Sequence, residues 1–196
     1  MAKIKTTDNN TKREFIIEQA SQLFKQKGYK AASMRELAAR VGVEAASLYN
    51  HIQSKEDLLN AMCMNVADRY TSHITELEKQ ESAVIDKIEK LLRFHVREMM
   101  DNYEEVYVTD HDWRNMDEPH LSEYREMRRN YRKRFAAIVQ HGVDNKEIKA
   151  VDANSAVMIF INAIGAVDQW HRIVHKVNRK DLEDNIITIL VDGIRN

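Results

Sequence analysis

Residues Ser33–Lys55, SMRELAARVGVEAASLYNHIQSK, contain the pattern that decides the fold. Ser33 is followed three residues later by Glu36, which is the spacing of a capping box at the start of a helix. Apolar residues then recur at helical spacing as far as Gly42, which ends the helix and permits a sharp turn. This stretch therefore predicts a helix followed at once by a tight turn.

A second, very short helix is predicted over residues 44–51. Val43, Leu48 and Ile52 are its apolar anchors and are expected to face inward. The intervening side chains then face outward, and a helix held in this way can enter the major groove of DNA. The outward positions are Ala45, Ala46, Ser47, Tyr49, Asn50 and His51.

The sequence around this block indicates an all-α protein. It has one proline and five glycines, and apolar residues recur at three and four residues over long stretches. A first helix is predicted over residues 11–27 with Gly28 as its stop, and a long connecting helix begins at Ser54 and Asp57. Further helices are expected to begin near Ser82, Tyr103, Pro119, Asp152 and Arg179, the one from Pro119 ending at Gly142, which makes about nine in all.

Charge divides the chain at about residue 55. Residues 1–55 have ten Lys and Arg against five acidic residues, a net charge of +5, whereas the remainder has 20 against 26, a net charge of −6. A basic segment on an acidic body is expected when one end of a protein meets a polyanion. We therefore predict a DNA-binding domain over 1–55 and a second domain over 56–196. The basic tail Lys3, Lys5, Lys12 and Arg13 is either a flexible arm for an adjacent groove or a solubilising tail.

The residue types of the block, and not only their spacing, resemble those of the DNA-binding domain of the TetR family of repressors. The resemblance covers residues 11–62. It rests on Arg35–Ala39, Gly42-Val43, Ser47-Leu48-Tyr49, His51, Lys55 and Leu58-Leu59.

This resemblance implies a three-helix DNA-binding domain, an obligate dimer, and release from operator DNA when a small molecule binds the larger domain. It places Ser33 and Arg35 at phosphate, with a base edge also in reach. Tyr49, His51 and Lys55 would also bind phosphate. The residues that would face bases are Ala45, Ala46, Ser47 and Asn50, with the two alanines making apolar contacts such as those to thymine methyls.

The effector pocket of that family lies among the middle helices, and nine residues of this chain are candidates for it. Core packing is the alternative explanation for the whole set, because methionine and aromatic residues at helical spacing commonly fill a core. The candidates, all expected to point inward, are His95, Met99, Tyr103, Tyr107, Trp113, Tyr124, Arg128, Met158 and Asn162.

The last two predicted helices have wide apolar faces, which predicts a homodimer formed through them. The helix pair around Trp170 is also similar to that of family members that respond to fatty acyl-CoA or other lipidic ligands. This similarity implies an apolar tunnel, with an arginine such as Arg128 near an acidic headgroup.

Composition excludes several other classes of protein. Cys63 is the only cysteine, so neither an intrachain disulfide nor a thiol zinc site can form. The chain lacks an apolar signal-like segment near Met1 and a run of about eighteen apolar residues, so we expect a cytoplasmic protein without a membrane span. No cofactor is predicted.

A helical metal-binding enzyme is the competing hypothesis. His171 and His175 lie four residues apart, with Asp168 one turn earlier, and could bind zinc. The sequence between the histidines lacks the glutamate of a zinc peptidase, and solvated or interface histidines are the alternative. Asp110, His111 and Asp112 form a second candidate cluster. A purely structural helical dimer is a third possibility.

Overall fold

The computed structural model describes residues 9–169 and 178–196. These residues form nine α-helices and one short 3-10 helix, Trp113–Asn115, which confirms the predicted all-α class. The helices are α1 Asn9–Lys27, α2 Met34–Val41, α3 Ala45–Leu48, α4 Lys55–Glu78, α5 Val84–Asp101, α6 Tyr103–Asp112, α7 His120–Asp144, α8 Ala153–Gly165 and α9 Arg179–Asp192.

The described residues divide into two compact units. The first unit contains the residues up to Ala67 together with Glu104–Arg125, and the second contains Asp68–Tyr103 and Glu126–Asn196. Helix α4 contributes residues to both units, as the sequence pattern of a connecting helix indicates. The functional division predicted at residue 55 stays a prediction.

The core of the first unit is built from the apolar faces of α1 to α4. Gly28 ends α1 in the left-handed conformation, with φ +81°, and its N–H donates to the carbonyl of Phe24 at 2.7 Å. Phe24 and Tyr29 are buried and meet edge to face, with ring centroids 5.3 Å apart. The loop between α1 and α2 is therefore anchored by an aromatic pair in the core.

The second unit is organised around α5, which packs against α8 and α9. Arg93 of α5 forms ion pairs with Glu183 at 3.0 Å and Asp184 at 2.9 Å, both on α9. It also pairs with Glu89 on its own helix at 2.9 Å. These contacts add a charged link to the apolar packing of α5 and α9.

The N-terminus of α5 corrects the sequence prediction. Ser82 was expected to cap this helix, but its hydroxyl is buried without a hydrogen-bond partner among the described residues. The cap is instead the carboxylate of Glu147, which accepts from the N–H groups of Val84 at 2.7 Å and Ile85 at 3.4 Å. A carboxylate suits this position because the first N–H groups of a helix have no partner within the helix.

Gly142 also differs from its prediction as the end of a helix, because α7 continues to Asp144. A side chain at position 142 would place its first carbon 2.5 Å from the side chain of Ile148. The glycine therefore permits close packing, and its carbonyl accepts from the N–H groups of Glu147 at 2.9 Å and Ile148 at 3.2 Å. This turn brings Glu147 to the start of α5.

Three large apolar side chains of α8 and α9 are exposed in the single chain. Met158 is 60% exposed, Ile159 56% and Ile189 71%. Among the described helices, none has the length and apolar character needed to cross a membrane. The exposed side chains thus leave the last two helices with apolar surface facing outward.

Candidate nucleic-acid interface

The start of α2 is held by the predicted capping box. The Ser33 hydroxyl accepts from the N–H of Glu36 at 3.3 Å, and the Ser33 N–H donates to the Glu36 carboxylate at 3.1 Å. Lys27 forms an ion pair with the same carboxylate. Hydrogen bonds from Lys27 and Ser33 lower the pKa of Glu36. The carboxylate therefore stays ionised at the helix N-terminus, where the dipole of the helix stabilises it.

The turn after α2 uses the conformation that glycine provides. Gly42 has φ +81° and ψ +31° in the left-handed region. Its N–H and that of Val43 both donate to the carbonyl of Ala38 at 3.0 Å, which closes the helix end. The chain is thereby redirected within two residues and α3 begins at Ala45.

Helix α3 is shorter than predicted, ending at Leu48 where residues 44–51 were expected. Leu48 and Ile52 are completely buried, which confirms two of the three predicted anchors, whereas Val43 is half-buried. Tyr49 is 52% exposed. Ala45, Ala46, Ser47 and Asn50 are also exposed, and His51 is half-buried.

The outward surface of α3 and α2 has unused hydrogen-bonding groups. The side chains of Ser47, Tyr49, Asn50 and His51 have no hydrogen-bond partner among the described residues, and exposed Arg35 has no carboxylate partner there. Polar groups that are exposed and uncommitted can bind an external partner without first breaking an internal bond. The expected DNA contacts are thus on one short segment of the first unit.

Two of the expected DNA contacts, Ser33 in its capping box and Lys55, are hydrogen-bonded within the protein. The ammonium of Lys55 donates to the carbonyls of Tyr29 at 3.0 Å, Ala32 at 3.1 Å and Lys30 at 3.4 Å. It also lies 4.5 Å from the centroid of the Tyr29 ring. Its hydrogen bonds are therefore directed to the α1–α2 loop.

Several polar contacts of the first unit were not anticipated from the sequence. The guanidinium of Arg40 donates to the side-chain oxygens of Gln19 at 3.2 Å, Gln22 at 2.8 Å and Gln26 at 2.9 Å on α1. The repeat of glutamines at 19, 22 and 26 marks one face of a helix, but nothing local indicates that Arg40 lies against it. This contact fixes α2 on α1.

Residues distant in sequence also form hydrogen bonds with the α1–α2 loop and with α4 within the first unit. The Asp112 carboxylate accepts from the N–H of Tyr29, and its burial raises the pKa of Asp112. The amide of Asn60 donates to Asp117 at 2.7 Å, which lowers the pKa of Asp117. Such contacts depend on the folded chain and have no signature in local spacing.

The nine effector candidates are divided between the two units. Six belong to the second unit, whereas Tyr107, Trp113 and Tyr124 belong to the first. The inward orientation expected for Met158 and Asn162 is wrong, because both are exposed and lie on the outer face of α8. The six in the second unit are His95, Met99, Tyr103, Arg128, Met158 and Asn162.

His95 is the only histidine among the candidates, and it is buried. Its Nε2 atom lies 2.7 Å from the hydroxyl of Tyr131, a residue that the sequence did not single out. The Tyr70 ring makes T-shaped contacts with both His95, at a centroid distance of 4.6 Å, and Tyr131, at 5.6 Å. Burial lowers the pKa of His95 to about 3, so the imidazole is neutral. The second unit therefore has a neutral polar pair within a cluster of aromatic side chains.

The remaining candidates have individual partners. Met99 and Tyr103 are buried and Arg128 is half-buried. Trp113 of the first unit lies under the guanidinium of Arg114, 4.6 Å from its ring centroid, and Tyr124 is 5.9 Å away. These contacts are those of packed or surface side chains.

The metal-site hypothesis gains no support from the part of the chain that can be described. His171 and His175 lie outside the described residues, and Asp168 accepts a hydrogen bond from the Tyr103 hydroxyl. Within the described ranges no group of three or more His, Cys, Asp or Glu side chains is placed to hold a metal ion, and this includes Asp110, His111 and Asp112.

Two segments of the chain match family models. Residues 16–62 match the family described as bacterial regulatory proteins, tetR family. Residues 81–194 match the family described as tetracyclin repressor-like, C-terminal domain.

Individual relatives agree with these matches. The HTH-type transcriptional repressor KstR2 of Mycobacterium tuberculosis is 18% identical over 187 residues, covering 94% of each chain. The solved structure of that ketosteroid transcriptional regulator covers 95% of this chain and 96% of its own, with 16% identity and a TM-score of 0.88. A crystal structure of AibR with isovaleryl coenzyme A and operator DNA has 19% identity and a TM-score of 0.81, covering 92% of this chain and 98% of AibR. At these identities the structural likeness establishes the fold.

The buried His95 predicts a pH-dependent stability. An unfolded histidine has a pKa of about 6.5, so below that pH the unfolded chain takes up a proton that folded His95, with its pKa of about 3, does not. Stability is therefore complete near neutral pH and falls on acidification, by about 2 kcal/mol at pH 5 from this residue. Denaturant unfolding at pH 7 and pH 5 measures the loss. His95→Gln keeps a hydrogen-bonding group for Tyr131 but does not titrate. Between pH 7 and pH 5 the stability of this variant should therefore fall by about 2 kcal/mol less than that of the wild type. An equal fall in both proteins would contradict the assignment of the pH dependence to His95.

Proposed function

Because the chain belongs to the TetR family of transcriptional regulators, we propose that it is a repressor that binds operator DNA as a homodimer and is released by a small effector. The observation that supports this proposal most directly is the outward row of uncommitted side chains on and after α3, held by the buried Leu48 and Ile52. Members of this family are regulators and not enzymes. Since the proposed target is operator DNA, the proposed location is the cytoplasm.

The proposed DNA contacts follow from side-chain chemistry. Arg35 supplies a positive charge for phosphate at the start of α2. Ser47 and Asn50 have the hydrogen-bonding groups needed to read base edges, while Ala45 and Ala46 present small apolar surfaces to thymine methyls. Tyr49 and His51 would bond phosphate through the hydroxyl and the imidazole, and Ser33 would do so from the capping position.

The proposed dimer uses the exposed apolar surface of α8 and α9. Met158, Ile159 and Ile189 are three of the four large apolar side chains that are exposed among the described residues, the fourth being Tyr49. Apolar surface concentrated on the last two helices is what a subunit interface requires. A second copy of the chain, related by two-fold symmetry, would cover it and would present two copies of α3 to one DNA duplex.

The proposed effector has an apolar body and a polar end, and we propose acyl-CoA thioesters as its class. The interior of the second unit is apolar and contains a cluster of aromatic side chains, and His95 with Tyr131 supplies a neutral hydrogen-bonding pair for a carbonyl oxygen. Arg128, half-buried on α7, would attract the acidic end of the ligand. The crystal structure of AibR with isovaleryl coenzyme A supports this choice by similarity of fold.

Selection of bound duplexes from a random-sequence DNA library tests the first part of the proposal. It should enrich an inverted repeat whose half-sites are about 10 base pairs apart, or a multiple of that spacing. On the selected duplex, Arg35→Gln should weaken binding and reduce the slope of log affinity against log salt by about 0.9, because one phosphate contact is lost. Tyr49→Phe should weaken binding at an unchanged slope, because the lost group is neutral.

Lys133→Gln is the matched control, since it removes a positive charge from an exposed site of the second unit. Its affinity and slope should equal those of the wild type. Failure to enrich any sequence, or an Arg35→Gln variant with wild-type affinity, would overturn the proposed contacts.

The dimer is tested by sedimentation at micromolar concentration. The molar mass measured for the wild type should be twice the chain mass of 22.9 kDa. Ile189→Asp should sediment as a folded monomer, because the side chain is exposed in the single chain and a charge at a covered apolar surface is costly. Asn130→Asp adds the same charge to an exposed site on α7 and should remain dimeric. A dimeric Ile189→Asp variant would place the interface elsewhere.

Titration with isovaleryl-CoA, a sixteen-carbon acyl-CoA and free CoA tests the effector class. At least one thioester should raise the melting temperature and weaken DNA binding by about tenfold or more, within the usual range of allosteric coupling. Free CoA should do neither. Tyr131→Phe should reduce the response, whereas Tyr124→Phe, which removes a hydroxyl from a buried tyrosine of the first unit, should preserve it. If neither thioester binds the wild type, the effector belongs to another class.

A further inference from the structure

We infer that His73 is a further effector-binding residue, and that its Nδ1 atom binds a hydroxyl or keto oxygen on the apolar body of the effector. The inference rests on the proposed function, because it requires an effector inside the second unit, and it adds a second polar group to that effector. His73 lies in the part of α4 that belongs to the second unit. The sequence did not single it out.

The Nδ1 atom of His73 is buried and has no hydrogen-bond partner among the described residues. Buried polar atoms are nearly always hydrogen-bonded in folded proteins, because an unpartnered one has lost its bonds to water without a replacement. The side chain as a whole is only half-buried, so it lies at the edge of the core. The nitrogen is therefore an unused hydrogen-bonding group at a place that a ligand can approach.

Stacking sets the direction in which this group can bind. The His73 ring lies parallel to the ring of Phe94, with a centroid distance of 4.0 Å and an interplanar angle of 9°. The hydrogen bonds of an imidazole lie in the plane of its ring, through the two nitrogens. Because Phe94 covers one face of the imidazole, the missing partner of Nδ1 lies beside the stack and not above it.

The His95–Tyr131 pair belongs to the same aromatic cluster. The ring of Phe94 lies 6.4 Å from that of His95, and the Tyr70 ring lies 5.1 Å from Phe94 and 4.6 Å from His95. His95 and Tyr131 are hydrogen-bonded to each other at 2.7 Å. The cluster thus holds one polar pair that is satisfied and, among the described residues, one imidazole nitrogen of His73 that is not.

The chemistry of His73 favours a neutral partner. Burial lowers the pKa of His73, so the imidazole is uncharged at neutral pH. A carboxylate or ammonium buried beside an uncharged ring would lack a counter-charge, and its desolvation would be costly. A hydroxyl can donate or accept and fits Nδ1 in either tautomer, whereas a keto oxygen fits the tautomer in which Nδ1 carries the proton.

Two separate polar contacts are therefore expected for an acyl-CoA thioester. With the thioester carbonyl at His95 and Tyr131, as proposed, His73 takes an oxygen of the acyl chain. Such an oxygen gains a bond without breaking an internal one, whereas a saturated chain leaves Nδ1 unpaired. A site that hydrogen-bonds a ligand hydroxyl discriminates strongly against the analogue that lacks it. We therefore expect a preference for oxygen-bearing acyl chains over saturated ones.

Two substitutions to phenylalanine test the missing bond in the ligand-free protein. His73→Phe keeps a ring for the stack on Phe94 and removes the unpartnered nitrogen, so its melting temperature should equal or exceed that of the wild type. Tyr131→Phe is the matched control, because it keeps its ring but removes a hydroxyl bonded to His95. Its melting temperature should fall by about 2 °C or more. His73→Leu, a smaller apolar side chain, should behave like His73→Phe.

The inference is overturned if both His73 variants melt as low as Tyr131→Phe. Their loss of stability would mean that Nδ1 is already bonded in the ligand-free protein, for example to a buried water.

Binding of matched thioesters tests the ligand oxygen. The probes are a ten-carbon saturated acyl-CoA and the two derivatives of it that carry a hydroxyl on the third or on the last carbon. The wild type should bind at least one derivative about tenfold more tightly than the unsubstituted thioester. His73→Phe should lose this preference and keep its affinity for the unsubstituted thioester. A wild type without the preference, or a His73→Phe variant that retains it, would contradict the inference.

If the wild type binds none of the three thioesters, the proposed effector class fails, and the role of His73 is decided with probes that have no CoA part. Cyclohexanol and methylcyclohexane are similar in size and differ in the hydroxyl. A rise in melting temperature that is larger with cyclohexanol, in the wild type but not in His73→Phe, supports the inference. The same response to both compounds in the wild type overturns it.

Discussion

The DNA-binding segment depends on the burial of Leu48 and Ile52. A helix as short as α3 has no stability of its own, because helix nucleation is unfavourable and only longer helices recover its cost. Both side chains are completely buried, so tertiary contacts hold α3 in place. Everything that faces outward from α3 depends on these two anchors and on the connections at its ends.

Local chemistry made the first unit predictable in outline. The capping box at Ser33 and the left-handed glycine at position 42 depend on residues within four positions of each other, so the sequence pattern contains the full cause. The contacts that fix the helices against one another were not predictable, because they join distant residues. Arg40 with the glutamines of α1 and Lys55 with the α1–α2 loop are both of this kind.

The second unit shows what helical periodicity cannot predict. An apolar residue at helical spacing is equally consistent with a core and with a subunit interface, and Met158 was assigned inward although it is exposed in the single chain. The predicted cap of α5 was wrong for a related reason. Ser82 has the right type and position, but Glu147, which follows Ser82 by 65 residues, reaches the helix N-terminus in the folded chain.

The separation between inward and outward residues on α3 has a consequence for how such a protein can diverge. Leu48 and Ile52 maintain the fold, while Ala45, Ala46, Ser47 and Asn50 are exposed and contribute little to the core. Substitutions at the exposed positions can therefore accumulate without unfolding the protein, since surface changes away from special contacts have small effects on stability. A duplicated copy of the gene could acquire a new target sequence in single steps, each of which leaves a stable protein for selection to act upon.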